Sequence, residues 1–138
     1  MLTQLKALHN ELRKALAELS VETAKAEPDE TNLPVVRLKL TRASRRRKAM
    51  IECTISPLLH DIAPEDARRM EDLRRAGADM AVSSSSHITR WTMRAIIADW
   101  KGYRTASATM RAQMLRRIAE EAAILYPLLE AKEGRKAA

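Results

Sequence analysis

Arg117-Ile118-Ala119-Glu120-Glu121-Ala122-Ala123-Ile124-Leu125-Tyr126-Pro127-Leu128-Leu129 is the stretch whose reading decides the fold. Met110, Met114, Ile118, Glu121, Leu125 and Leu128/Leu129 recur at steps of three and four, the spacing of one face of an α-helix. A carboxylate therefore stands on an apolar stripe. Glu121 either reaches solvent from the edge of that stripe, or pairs with an inward arginine, or acts as a ligand inside a helical assembly. The helix is expected to start near Gly102-Tyr103 and to stop at Tyr126-Pro127, with Leu128 to Ala131 adding about a turn. Beyond it the charged tail from Lys132 to Ala138 is expected to fray.

Three more helical patterns precede this one. The first runs from Thr3, a candidate N-cap, to about Lys25, with the stripe Leu5, Leu8, His9, Leu12, Leu16 and Leu19. His9 stands in the middle of that stripe, as a hydrogen-bonded core residue or as a ligand. Glu27 to Pro34 is an acidic linker with two prolines. The second helix is expected from Pro34 to Ser56, just before Pro57. Its stripe is Val36, Leu40, Ala43, Met50, Ile51 and Leu58, and Arg47 falls where a core residue belongs. A third helix opens at Pro64-Glu65-Asp66 and is expected to reach Trp100, bent near Gly77 and Ser83 to Ser86. Leu73, Met80, His87, Trp91 and Ala95 form its stripe, so His87 also points inward; His60 lies in the preceding loop.

Composition narrows the class. The chain has 138 residues, a formal charge of +7, three glycines, five prolines and no phenylalanine. That length suits one domain over residues 1–138, able to bury about two-thirds of its unfolded surface. Few breakers and no β-branched alternation favour an all-α domain. The single Cys53 rules out an intrachain disulfide. With no signal-peptide core and no apolar run near the length of a bilayer span, a cytoplasmic protein without a membrane partner is expected. The basic run Arg37, Lys39, Arg42, Arg45, Arg46, Arg47 and Lys48 spreads around its helix and reads as a solvated face more readily than as a nucleic-acid footprint.

Four long helices with short links close most simply as an up-down-up-down bundle. At this point the chain resembles the hemerythrin-like (HHE cation-binding) family. Leu5-Lys-Ala-Leu-His9-Asn-Glu-Leu-Arg-Lys-Ala-Leu is similar to that family's first helix, and Glu120-Glu121-Ala-Ala-Ile-Leu-Tyr-Pro127 to the end of its fourth. The resemblance implies a di-iron centre held by histidines and carboxylates from all four helices. It assigns His9 as the first-helix ligand, Glu121 as the fourth-helix carboxylate and His87 as a third-helix histidine. The fourth-helix histidine position falls on Arg117, and the second-helix His-x-x-x-Glu pair on Arg47 and Ile51. Guanidinium groups cannot be deprotonated and bring positive charge to a place meant for cations.

The expectation is therefore a hemerythrin-like bundle with a degenerate metal site, a non-enzymatic sensor, regulatory or binding protein without a cofactor. Arg47 is expected to pair with Glu121 inside it. The alternatives are an iron- or zinc-binding protein using His9, His87 and Glu121, with His60 swinging in, and a basic nucleic-acid-binding module. Trp100, Tyr103 and the methionines are candidate elements of a homodimer surface, and an unidentified protein partner is the other candidate.

Overall fold

The structure, a computed structural model, describes residues 1–137, with side chains through Arg135. Its elements are α1 (Leu2–Thr23), α2 (Asn32–Met50), a π-helical turn (Ile51–Ile55), α3 (Ser56–Leu58), α4 (Pro64–Arg90), α5 (Met93–Ala98) and α6 (Trp100–Ala137). No strand occurs among the described residues, so the chain is all-α. No described helix is long and apolar enough to cross a membrane.

The expected helices exist, but several ends move for identifiable reasons. Met1, not Thr3, is the N-cap of α1, and no side chain closes that cap. Asp29 serves the start of α2 instead, its Oδ1 accepting from the backbone N–H of Thr31 at 3.0 Å and of Asn32 at 2.9 Å. The helix α4 is continuous through Gly77 and the four serines, with no break there. Serine lies mid-scale in propensity and one glycine costs only about 1 kcal/mol, too little to interrupt a helix of 27 residues. The interruption comes at Trp91, and Thr92 then caps α5 by accepting from Ala95 N at 3.2 Å. The one helix expected as far as Trp100 is therefore two. Proline 127 lies inside α6 and does not end it. Its missing N–H and crowding cost about 3 kcal/mol, offset by Leu125 and Leu129, buried on either side. Helical backbone continues through Ala137 where a frayed tail was expected, and Ala138 lies outside the described residues.

The π-helical turn corrects the second stripe. Each four-residue step along an α-helix overshoots one turn by about 40°, so Arg47, Ile51, Ile55 and Leu59 would wind out of a regular helix's buried face. The wider i→i+5 turn absorbs that drift, and all four are buried. The stripe accordingly ends on Leu59, while Leu58 is half-buried.

Helix α1 packs along α2, and α6 packs against α1, α4 and α5. The apolar interior divides into two clusters. One holds Leu12, Leu16, Leu19, Leu33, Leu40, Tyr103 and Ile118 among others; the second holds Leu5, Ile51, Ile55, Leu59, Leu73, Leu125 and Leu129. On three helices a buried polar residue separates them: His9 between Leu5 and Leu12, Arg47 between Ala43 and Ile51, Glu121 between Ile118 and Leu125. The core is two apolar compartments with a polar layer between.

Tyr103 and Trp100 do not form the free surface expected of them. Tyr103 is fully buried, and Trp100 stacks on it while donating Nε1–H to the carbonyl of Lys25 at 3.1 Å. Ile118 closes the first compartment against the polar layer, so Ile118→Ala should lower stability by about 2–5 kcal/mol. A urea melt should register this as a lower midpoint with an unchanged slope.

Candidate functional site

The polar layer is centred on Glu121, which has no exposed surface. One carboxylate oxygen, Oε1, accepts from His9 Nε2 at 2.9 Å. The other, Oε2, accepts from Arg117 Nε at 2.9 Å and from Arg47 Nη1 in a shorter contact. Arg117 is one turn before Glu121 on α6, so helical spacing alone brings the two together. Its Nη1 donates onward to the carbonyl of Leu73 on α4 at 2.7 Å. His9 Nδ1 lies 2.6 Å from the Tyr126 hydroxyl. With Nε2 donating to the carboxylate, Nδ1 can accept the phenol's proton, and a neutral ring is satisfied at both nitrogens. One glutamate thereby links α1, α2 and α6 directly, and α4 through Arg117.

Burial works to raise the Glu121 pKa, but the His9 hydrogen bond and the charges of Arg47 and Arg117 outweigh it and hold the group below the ordinary carboxylate value. At Tyr126 burial again acts first, helped by the Glu121 charge against that of Arg13, and raises the phenol pKa. The hydroxyl therefore keeps its proton and remains a donor. Two guanidiniums against one carboxylate leave the layer with an excess of positive charge, and Arg47 Nε is buried without a partner.

Four of the residues singled out in the sequence converge here: His9, Glu121, Arg47 and Arg117. His87 does not join them. It lies half-buried against Tyr103, with ring centroids 6.0 Å apart, and Tyr103 precedes Glu121 by about 27 Å of helix at ~1.5 Å per residue. The inward direction read for His87 was correct; its level along the bundle was not. His60 stays on the surface after α3, its Nδ1 2.9 Å from the Pro57 carbonyl. Among the described residues no three His, Cys, Asp or Glu side chains are grouped to hold a metal ion. The donor set around Glu121, one imidazole and one carboxylate whose oxygens are both taken by cationic or ring N–H groups, does not fit a two-iron centre.

Three participants went unassigned in the sequence. Tyr126 was read only as part of a helix stop, although its place one turn and a residue beyond Glu121 puts it near the same layer. The Leu73 carbonyl is a backbone group and leaves no trace in residue type. Gly77 makes the room: a Cβ there would stand 2.6 Å from Arg117 Nη2 and 3.3 Å from its Cζ. No family model, curated protein or solved structure matches this chain.

Removing Glu121 alone leaves two buried guanidiniums without their anion, so Glu121→Ala should destabilise the fold by about 3–5 kcal/mol. Exchanging the charges together, as Arg47→Met, Arg117→Met and Glu121→Leu, should recover most of that loss in the same urea melt. For acid, the sign follows from the depressed pKa: the unfolded carboxyl takes up its proton at higher pH than the folded one. The stabilisation is full above the ordinary value of 4.5 and is lost as pH falls below it through the folded pKa. Glu121→Gln should flatten the stability profile in that window; an acid limb as steep as the wild type's would exclude Glu121 as its source. Gly77→Ala should destabilise despite a helix-propensity gain of about 1 kcal/mol. In an Arg117→Met background the same change should stabilise, a reversal of sign readable by a double-mutant cycle.

Proposed function

We propose that this chain is a hemerythrin-like, four-helix up-and-down bundle in which an ion-pair layer stands where the family's metal centre would lie, and that it acts as a non-enzymatic sensor, regulatory or binding protein. The four long helices would be α1, α2 with its π-helical extension, α4 and α6, with α5 as a short insert before the last.

The observation behind this reading is that both Glu121 oxygens are taken by His9, Arg47 and Arg117. A metal would have to displace two permanently charged guanidiniums from a buried carboxylate, trading three charge-assisted hydrogen bonds for one or two coordinate bonds. Arg47 and Arg117 thus satisfy the carboxylate electrostatically in the way a bound cation would. The one hydroxyl within reach of a base in this layer, Tyr126 on His9 Nδ1, has its pKa raised and keeps its proton, and the Glu121 oxygens are engaged in holding helices. Binding is favoured over nucleic-acid recognition because the basic run is dispersed. Arg47 turns inward, Arg37 reaches the Trp91 carbonyl at 2.6 Å, and Arg46 pairs with Glu11.

Metal analysis with an absorption spectrum, on protein purified without chelator from iron-replete cells, tests the reading. The expected result is no stoichiometric iron and no near-ultraviolet charge-transfer band. About two irons per chain, the content of a di-iron bundle, would overturn it and restore an oxygen- or iron-handling role.

A further inference from the structure

Between α2 and α4, above the polar layer, is a cavity of about 400 Å³, open on one side. Its wall is largely apolar, with Leu19 from α1, Leu40 from α2, Trp91 after α4, and Tyr103, Met110 and Met114 from α6. That size and character suit a small organic molecule. Its polar groups give the chemistry. Arg37 from α2 and His87 from α4 both line it, and no aspartate or glutamate does.

Arg37 is half-buried and has no carboxylate partner among the described residues. Its Nη2 is fixed by the Trp91 carbonyl at 2.6 Å and its guanidinium lies over the Tyr103 ring, 5.7 Å from the centroid. Its Nη1 reaches only the Met93 sulfur, at 4.0 Å, a weak acceptor. A charge removed partly from water, held in one orientation and left with free N–H donors is an incomplete ion pair. His87 has its pKa lowered by burial and by Arg37, so it stands beside that cation as a neutral hydrogen-bonding group. The Tyr103 hydroxyl, buried and one turn from Ser107, also lacks a partner of hydrogen-bonding geometry.

We propose that this cavity binds an apolar monocarboxylate, a medium-chain or comparably sized acid, with its carboxylate on Arg37 beside His87 and its body against Leu40, Met110 and Met114. The proposal rests on the reading of the protein as a binding bundle and supplies its ligand class. Because residues of both α2 and α4 line the cavity, the ligand would also join the two helices, so occupancy should stabilise the fold.

The test is a titration with decanoate, decanol and decylamine, all below their micelle or solubility limits, followed by the fluorescence of Trp91 and Trp100 and by thermal melts. Decanoate should saturate with a rise in melting temperature and should bind about tenfold or more tighter than the alcohol, the factor that one charge-assisted hydrogen bond supplies; the amine should bind weakest. Arg37→Gln should bring decanoate down to the level of decanol, and Arg37→Lys should keep part of the preference. Equal binding of acid and alcohol by the wild type, an undiminished acid preference in Arg37→Gln, or no saturable binding of decanoate would each overturn the proposal. So would a dimer formed through this seam and unaffected by decanoate, seen by light scattering. If Arg37→Gln does not fold, the wild-type comparison of head groups still decides. The metal analysis is independent of these titrations, so loss of the ligand site and loss of the metal-free reading are separate results.

Discussion

A carboxylate with no exposed surface must find its counter-charge within the protein, and this requirement at Glu121 governs the rest of the molecule. Three helices answer it at one level. His9, Arg47 and Arg117 approach from α1, α2 and α6, and each approach fixes a helical register, because a slip of one residue turns the side chain by about 100°. Apolar packing tolerates small rearrangements of volume. A hydrogen-bonded charge does not tolerate loss of its partner. The layer therefore supplies specificity more than net stability, and the two apolar compartments on either side supply the burial.

Local irregularities follow from the same demand. The π-helical turn after α2 lets Arg47 and the apolar residues Ile51, Ile55 and Leu59 share one buried face. Gly77 gives up helix propensity on α4 to leave space for the Arg117 guanidinium. Arg117 in turn reaches the Leu73 carbonyl, an acceptor already engaged in its own helix but with a second lone pair to offer. None of these features is needed by an apolar bundle of the same length.

The parts of this arrangement that could be read from the sequence are those set by periodicity. The stripes place His9, Arg47 and Glu121 inward, and charge complementarity then pairs Arg47 with Glu121 across 74 residues. What periodicity does not give is the level at which inward residues meet, since that depends on loop lengths and helix offsets. His87 is the instance: it has the right face and sits in the other compartment. Tyr126 escaped because proline after it suggested an end, whereas packing at Leu125 and Leu129 carries the helix onward. Propensity similarly marked Gly77 and the serines as a weak point, yet α4 runs through them as one helix. The all-α class, in contrast, rested on composition and pattern over the whole chain and was legible throughout.

The two halves of α4 experience different constraints. Near Gly77 it is held by Leu73, its one buried residue, and by the Arg117 bond to that residue's carbonyl. About 15 Å further along, at ~1.5 Å per residue, His87 lies against the Tyr103 ring and lines a cavity. Among the groups lining it is the Arg37 guanidinium, which has no carboxylate partner among the described residues, and apolar closure over such a charge would be unfavourable. The charge excess that the polar layer tolerates with Glu121 present has no equivalent compensation at Arg37.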